Sequence, residues 1–153
     1  MSDNSHVIHI SATEQEYLAI TILGRSIPQP TNIWDANWLD VSLVLRTAYN
    51  SGEFQRHIKA TILPRELISF RNQLAALHQS LRGSATFSTL EGWLEMKCVG
   101  DGRGHIDIAC QVRNEPGIGD TLNFQIHIDQ TYLPAILSSL DDVLAVYPVI
   151  QAT

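Results

Sequence analysis

Residues 54–81 read FQRHIKATILPRELISFRNQLAALHQSL, and the change of period inside this stretch decides the fold. Phe54, Ile58, Ala60 and Ile62 face one way, while Gln55, His57, Lys59 and Thr61 face the other. That two-residue period is a half-buried strand. Pro64 then opens a helix, at a position where its missing N–H costs nothing. Leu67, Phe70, Leu74, Leu77 and Leu81 recur at spacings of 3, 4, 3 and 4, an apolar stripe suited to lie on a sheet. Gly83 is the expected C-terminal stop.

Towards the N-terminus, Leu39, Val41, Leu43 and Leu45 alternate with polar residues and form the preceding strand. An even-length loop within residues 49–52 sets their odd-numbered apolar set opposite the even-numbered one of the next strand. Val7–Ser11 and Tyr17–Leu23 are two earlier strands, and residues 24–37, with Pro28, Pro30 and Asn32, read as a long loop. Towards the C-terminus, Ala85–Ser88, Trp93–Val99, Ile106–Val112 and Leu122–Ile128 are further strands. A final helix carries Leu133, Ile136, Leu137, Leu140, Val143, Leu144 and Tyr147, capped by Asp129 or Thr131 and ended by Pro148.

The apolar sets Leu94, Met96, Cys98 and Ile106, Ile108, Cys110, Val112 are both even-numbered, so they share a face only across an odd-length loop. A three-residue Asp101-Gly102-Arg103 turn sets Cys98 opposite Ile106 and Cys110 opposite Leu94. The two cysteines then sit four residues apart along the strands, roughly 13 Å at strand rise, too far to bridge. They read as small core residues.

A shift of 70 residues lays Phe54 over Phe124, His57 over His127, Leu63-Pro64 over Leu133-Pro134 and Leu74 over Leu144. Each segment is a strand feeding a Pro-started helix, which suggests two β-meander-plus-helix halves, 1–82 and 83–147, within one domain spanning 1–153. The expected fold is therefore α+β: an antiparallel β-sheet of about eight strands, with two helices packed on one face. The other face is polar, as is normal for an antiparallel sheet.

The 153 residues are 44% hydrophobic and 17% charged, a globular composition long enough to bury a core without staples. Met1–Ser5 is polar and no apolar run reaches the ~20 residues of a membrane span, so a cytosolic location is expected. The net charge of -6 falls entirely in the second half: residues 83–153 hold nine acids against three Lys/Arg. Such a half repels nucleic acid and membrane phosphate and attracts a basic partner, although acidic surfaces also serve solubility alone.

Catalytic signatures are missing. Gly100–Gly104 lies between two strands, not between a strand and a helix, so it is a hairpin turn and not a phosphate loop. No GxSxG, HExxH or CxxC occurs, and no cofactor is implied. His57, His127 and Asp129 on the polar sheet face admit an alternative, a small ligand- or metal-binding site or enzyme. Lys59 stands where the 70-residue shift would want the second carboxylate. Trp34, Asp35, Asn37 and Trp38 form the most informative cluster: two tryptophans in a loop are either anchors for a partner or plugs for the end of the core.

The stretches WDANWL (34–39), SGEF (51–54), ISFRNQLAALHQSLRGSATF (68–87), EGWLEM (91–96), GDGRGHIDI (100–108), NEPG (114–117) and IDQTYLP (128–134) run in order along nearly the whole chain. In these the chain resembles the WapI-like immunity protein family of bacteria, WDANWL and DQTYLP being the most specific. The resemblance implies cytosolic binding of a cognate secreted toxin, often a nuclease, and no catalysis. A nuclease has a basic active face, so the expected contacts are acidic: Asp101, Asp107, Glu115, Asp120 and Asp129, with Asp35 beside Trp34 and Trp38 as anchors. Self-association is also compatible with the sequence.

Overall fold

The computed structural model describes residues 6–151. Four strands come first: β1 (His6–Thr13), β2 (Glu16–Arg25), β3 (Leu39–Tyr49) and β4 (Gly52–Ile62), with a short helix α1 (Ile33–Asn37) before β3. Helix α2 (Pro64–Ser80) follows, then β5 (Arg82–Ser88), β6 (Leu94–Asp101), β7 (His105–Arg113) and β8 (Thr121–Asp129). A single 3-10 turn (Gln130–Tyr132) leads into helix α3 (Leu133–Val146). The fold is α+β with eight antiparallel strands, and each set of four is followed by a long helix.

The strands are divided into two four-stranded meanders, β1-β2-β3-β4 and β5-β6-β7-β8, instead of continuing as one sheet. At the edge of β5 a helix stands in place of a further strand: the Gln73 side chain of α2 accepts from Thr86 N–H at 3.0 Å and donates to Thr86 C=O at 3.3 Å. The apolar faces of both sheets join one core with the stripes of α2 and α3. Phe70 of α2 meets Phe87 of β5 edge-on with centroids 5.7 Å apart. The helices also touch each other: Arg71 Nε lies 2.9 Å from Asp141 Oδ1, two positions 70 residues apart in sequence.

Several local expectations change. The β6–β7 loop is Gly102-Arg103-Gly104, with Cys98 opposite Ile108 and Met96 opposite Cys110. The odd loop length is as expected, but Asp101 remains in the strand because its carboxylate closes the turn from outside. The two cysteines are therefore two residues apart along the ladder; both are free and buried. Burial pushes the Cys98 thiol up to about 12. Helix α2 stops at Leu81, not Gly83: Leu81 itself takes the left-handed conformation (φ 60°) and its carbonyl accepts from Gly102 N–H at 2.8 Å. Phe54 has the parity of the core set but lies beyond its end and is 54% exposed. No helix among the described residues is long and apolar enough to cross a membrane.

Candidate functional site

Within the long loop, α1 forms because Asn32 caps it, accepting from Asp35 N–H at 2.9 Å while its amide donates to Asp35 Oδ2 at 2.9 Å. Asp35 is thus a capping partner. The signal was the Asn32-x-x-Asp35 spacing, a capping pattern hidden among prolines. Asn37 clasps the chain end: its amide donates to Ile150 C=O at 3.0 Å and accepts from Ile150 N–H at 2.8 Å. Arg25 adds a bond to Pro148 C=O at 2.9 Å. The sequence marked Asn37 only as a member of the tryptophan cluster and passed over Arg25; together they fasten residues 148–150 beside α1.

The tryptophans divide between the two roles. Trp38 is half-buried and follows α1, its carbonyl accepting from Ser26 N–H at 2.9 Å. Trp34 is 64% exposed, with the Arg65 guanidinium 5.4 Å from its ring centroid. A cavity of about 180 Å³ opens beside it, lined chiefly by Leu63, Pro64, Val149 and Ile150. Exposed Trp and Arg over an apolar pocket are the residue types that dominate binding interfaces.

The five predicted acids also divide. Asp101 accepts from the backbone N–H of Arg103 (2.7 Å) and His105 (3.2 Å), and its other oxygen meets His105 Nδ1 at 2.7 Å. The Arg103 N–H, more than any other neighbour, holds its carboxyl down at about 2. Asp107 lies 2.8 Å from His127 Nδ1 across the β7–β8 ladder and raises the imidazole's pKa. Asp129 accepts from Thr131 N–H at 2.8 Å and so starts the 3-10 turn. These three carboxylates serve turns and a cross-strand pair.

Glu115 and Asp120 are different. Both are exposed, and their carboxylates take no bond from any described side chain or N–H. They sit at the ends of a closed loop between β7 and β8. Asn114 N–H donates to Asp120 C=O at 3.2 Å, Asn114 Oδ1 accepts from Asp120 N–H at 2.8 Å, and Gly119 N–H donates to Glu115 C=O at 2.9 Å. A Cβ on Gly119 would fall 2.2 Å from Asn114 Oδ1, so the closure requires glycine. The loop holds Ile118 at its tip, 88% exposed. Apolar periodicity cannot flag an isolated isoleucine in a loop, and the sequence reading passed over it.

The alternative site is not assembled. His57 is on β4 of the first sheet, 2.6 Å from Ser42 Oγ, whereas His127 and Asp129 are on β8 of the second, engaged by Asp107 and Thr131. Among the described residues no three His, Cys, Asp or Glu side chains converge as metal ligands. The 70-residue shift that aligned the two histidines relates equivalent places on different sheets, which separates them.

With this geometry in view, the sequence matches the family described as "Immunity protein WapI-like family" over residues 9–148. The chain belongs to that family. Among curated proteins, none matches it. Among solved structures it is similar to the plant transcriptional regulator PBF-2, at 12% identity and a TM-score of 0.53, over 96% of this chain and 84% of that one. At that identity the likeness concerns the fold alone.

Proposed function

We propose that the protein is an immunity protein of binding type: it neutralises a cognate secreted toxin in the cytosol, by one-to-one association and without catalysis. The observation that carries the reading is the family match over nearly the whole chain. The site geometry supports it, because the exposed features are those of a binding surface. The loop from Glu115 to Asp120 offers two unengaged carboxylates around an exposed isoleucine. The partner that fits is a basic domain such as that of a nuclease, drawn in by the acidic second half and held by local apolar contact. Trp34 and Arg65 form a second patch next to their apolar cavity.

The test is capture of the tagged protein's partner from its native host, then co-expression with the toxin domain so identified and titration calorimetry of the purified pair. A one-to-one complex that restores growth, and is weakened by Ile118→Asp and Asp120→Lys, supports the proposal. Growth arrest that the protein does not relieve, with no heat of binding, refutes it.

A further inference from the structure

The Asn50-Ser51 hairpin turn fixes which backbone groups of β4 are in use. Tyr49 pairs with Gly52 across a two-residue loop, so these two exchange both of their hydrogen bonds. Alternation from there makes residues 54, 56 and 58 bond to β3, while Glu53, Gln55, His57 and Lys59 turn their N–H and C=O groups outward. One contact agrees: the Arg56 guanidinium reaches back to Gln55 C=O at 2.8 Å, which places that carbonyl on the open side. No described backbone group bonds to this edge, and residues 52–57 are all exposed.

An open edge of this length is a template for another strand. The edge is complementary to itself. Set antiparallel to a second copy with Gln55 opposite Gln55, Glu53, which Arg46 holds at 2.8 Å, faces His57, which Ser42 Oγ meets at 2.6 Å, and Phe54 faces Arg56. The Arg56 guanidinium already lies 5.9 Å from the Phe54 centroid within one chain. A two-residue slip one way sets Glu53 against Lys59 but brings Arg56 against Arg56 at the two-fold axis, and the other way leaves Glu53 facing Gln55. Beside the edge, Arg56, His57 and Ile58 line a groove of about 360 Å³ whose far wall is Asn114, Asp120 and Thr121 of the second sheet.

We infer that the occupant of the β4 edge is a second copy of this chain, paired antiparallel about a two-fold axis at Gln55. The interface is isologous, with the same strand on both sides. It does not depend on the immunity reading, and a monomeric protein would leave that reading standing.

Light scattering of the full chain over a concentration series reads the association. The mass should rise towards twice 17.0 kDa. Gln55→Pro removes one outward N–H per chain and leaves the β3 ladder intact, so it should fold as before and associate at least about tenfold more weakly. Gln55→Cys should crosslink two chains under mild oxidation, since both native cysteines are buried. His57→Cys should not, its copies lying roughly 13 Å apart along the strands in this register. A mass that stays at 17.0 kDa throughout overturns the inference. So does an oligomer in which Gln55→Cys fails to crosslink, a measurement that needs no proline variant to fold.

Discussion

The edges of β5 and β4 begin from the same difficulty and meet it in opposite ways. Each is a border strand of a four-stranded sheet, with a row of backbone groups facing away from the ladder. At β5 the next layer of structure answers that row. The Gln73 amide takes both the N–H and the C=O of Thr86, as a neighbouring strand would, and Glu66 accepts from Leu90 N–H just past the strand's end. At β4 nothing comparable arrives, and only the neighbouring Arg56 folds back on Gln55. A sheet edge is closed by whatever crosses it, and α2 crosses β5 because the chain enters β5 directly from the helix. The side left open is the one available to other molecules.

The sealed edge should be the fragile one. Gly100 lies opposite Gly83 and against the left-handed Leu81 turn that feeds β5; a Cβ there would fall 2.5 Å from Leu81 C=O. That contact is with backbone and cannot swing aside. Gly100→Ala should cost about 3 kcal/mol in urea unfolding. A change below a few tenths would mean the Leu81 turn relaxes freely, and the entry into β5 would not be the constraint described.

Next in size is the seal itself. Gln73→Leu leaves the half-buried Thr86 N–H and C=O without their partner, and should cost about 2 kcal/mol. The matched change on the open edge, Gln55→Leu, removes no internal bond and should stay within about 0.5 kcal/mol in dilute solution, where the chain is monomeric. Equal costs at the two glutamines would erase the distinction between the edges.

Period and turn chemistry made most of this architecture legible. The alternation of Leu39–Leu45 against Phe54–Ile62 set the β3–β4 register, and Leu39 does pair with Ile62 and Leu43 with Ile58. The 70-residue shift marked two meander-plus-helix halves, but not that their strands form separate sheets. Nor was the cover of the β5 edge legible: Gln73 is a polar residue on the flank of an apolar stripe, and its role appears only once Thr86 is beside it. The acids illustrate the same limit. Asp101, Asp107 and Asp129 look like Glu115 and Asp120 in a count of charge, but the first three are consumed by N–H groups and histidines brought near by hairpins. Trp34 and Trp38 are four residues apart, and their difference appears only in the structure, where Trp34 lies on the short helix and is exposed while Trp38 leaves it in extended conformation towards β3.

The smallest effects are slopes with pH, and they have opposite signs at the two places where carboxylates fasten the second sheet. Burial raises the Glu66 carboxyl above its ordinary value near 4.5, against the lowering influence of the Leu63 and Leu90 N–H groups. A raised carboxyl contributes stability that is complete below 4.5 and is lost as the pH climbs through the raised value. The unfolding free energy of the wild type minus that of Glu66→Gln should therefore fall as pH increases from acid towards neutral. Asp101 is held at about 2, so its contribution is present above 3.8 and is lost as pH falls towards 2. Wild type minus Asp101→Asn should fall in the acid direction, and only slightly, because the group is exposed and screened by solvent. If the Glu66 difference instead grew with pH, the two N–H groups would outweigh burial, and the end of β5 would be fastened by the ionised carboxylate.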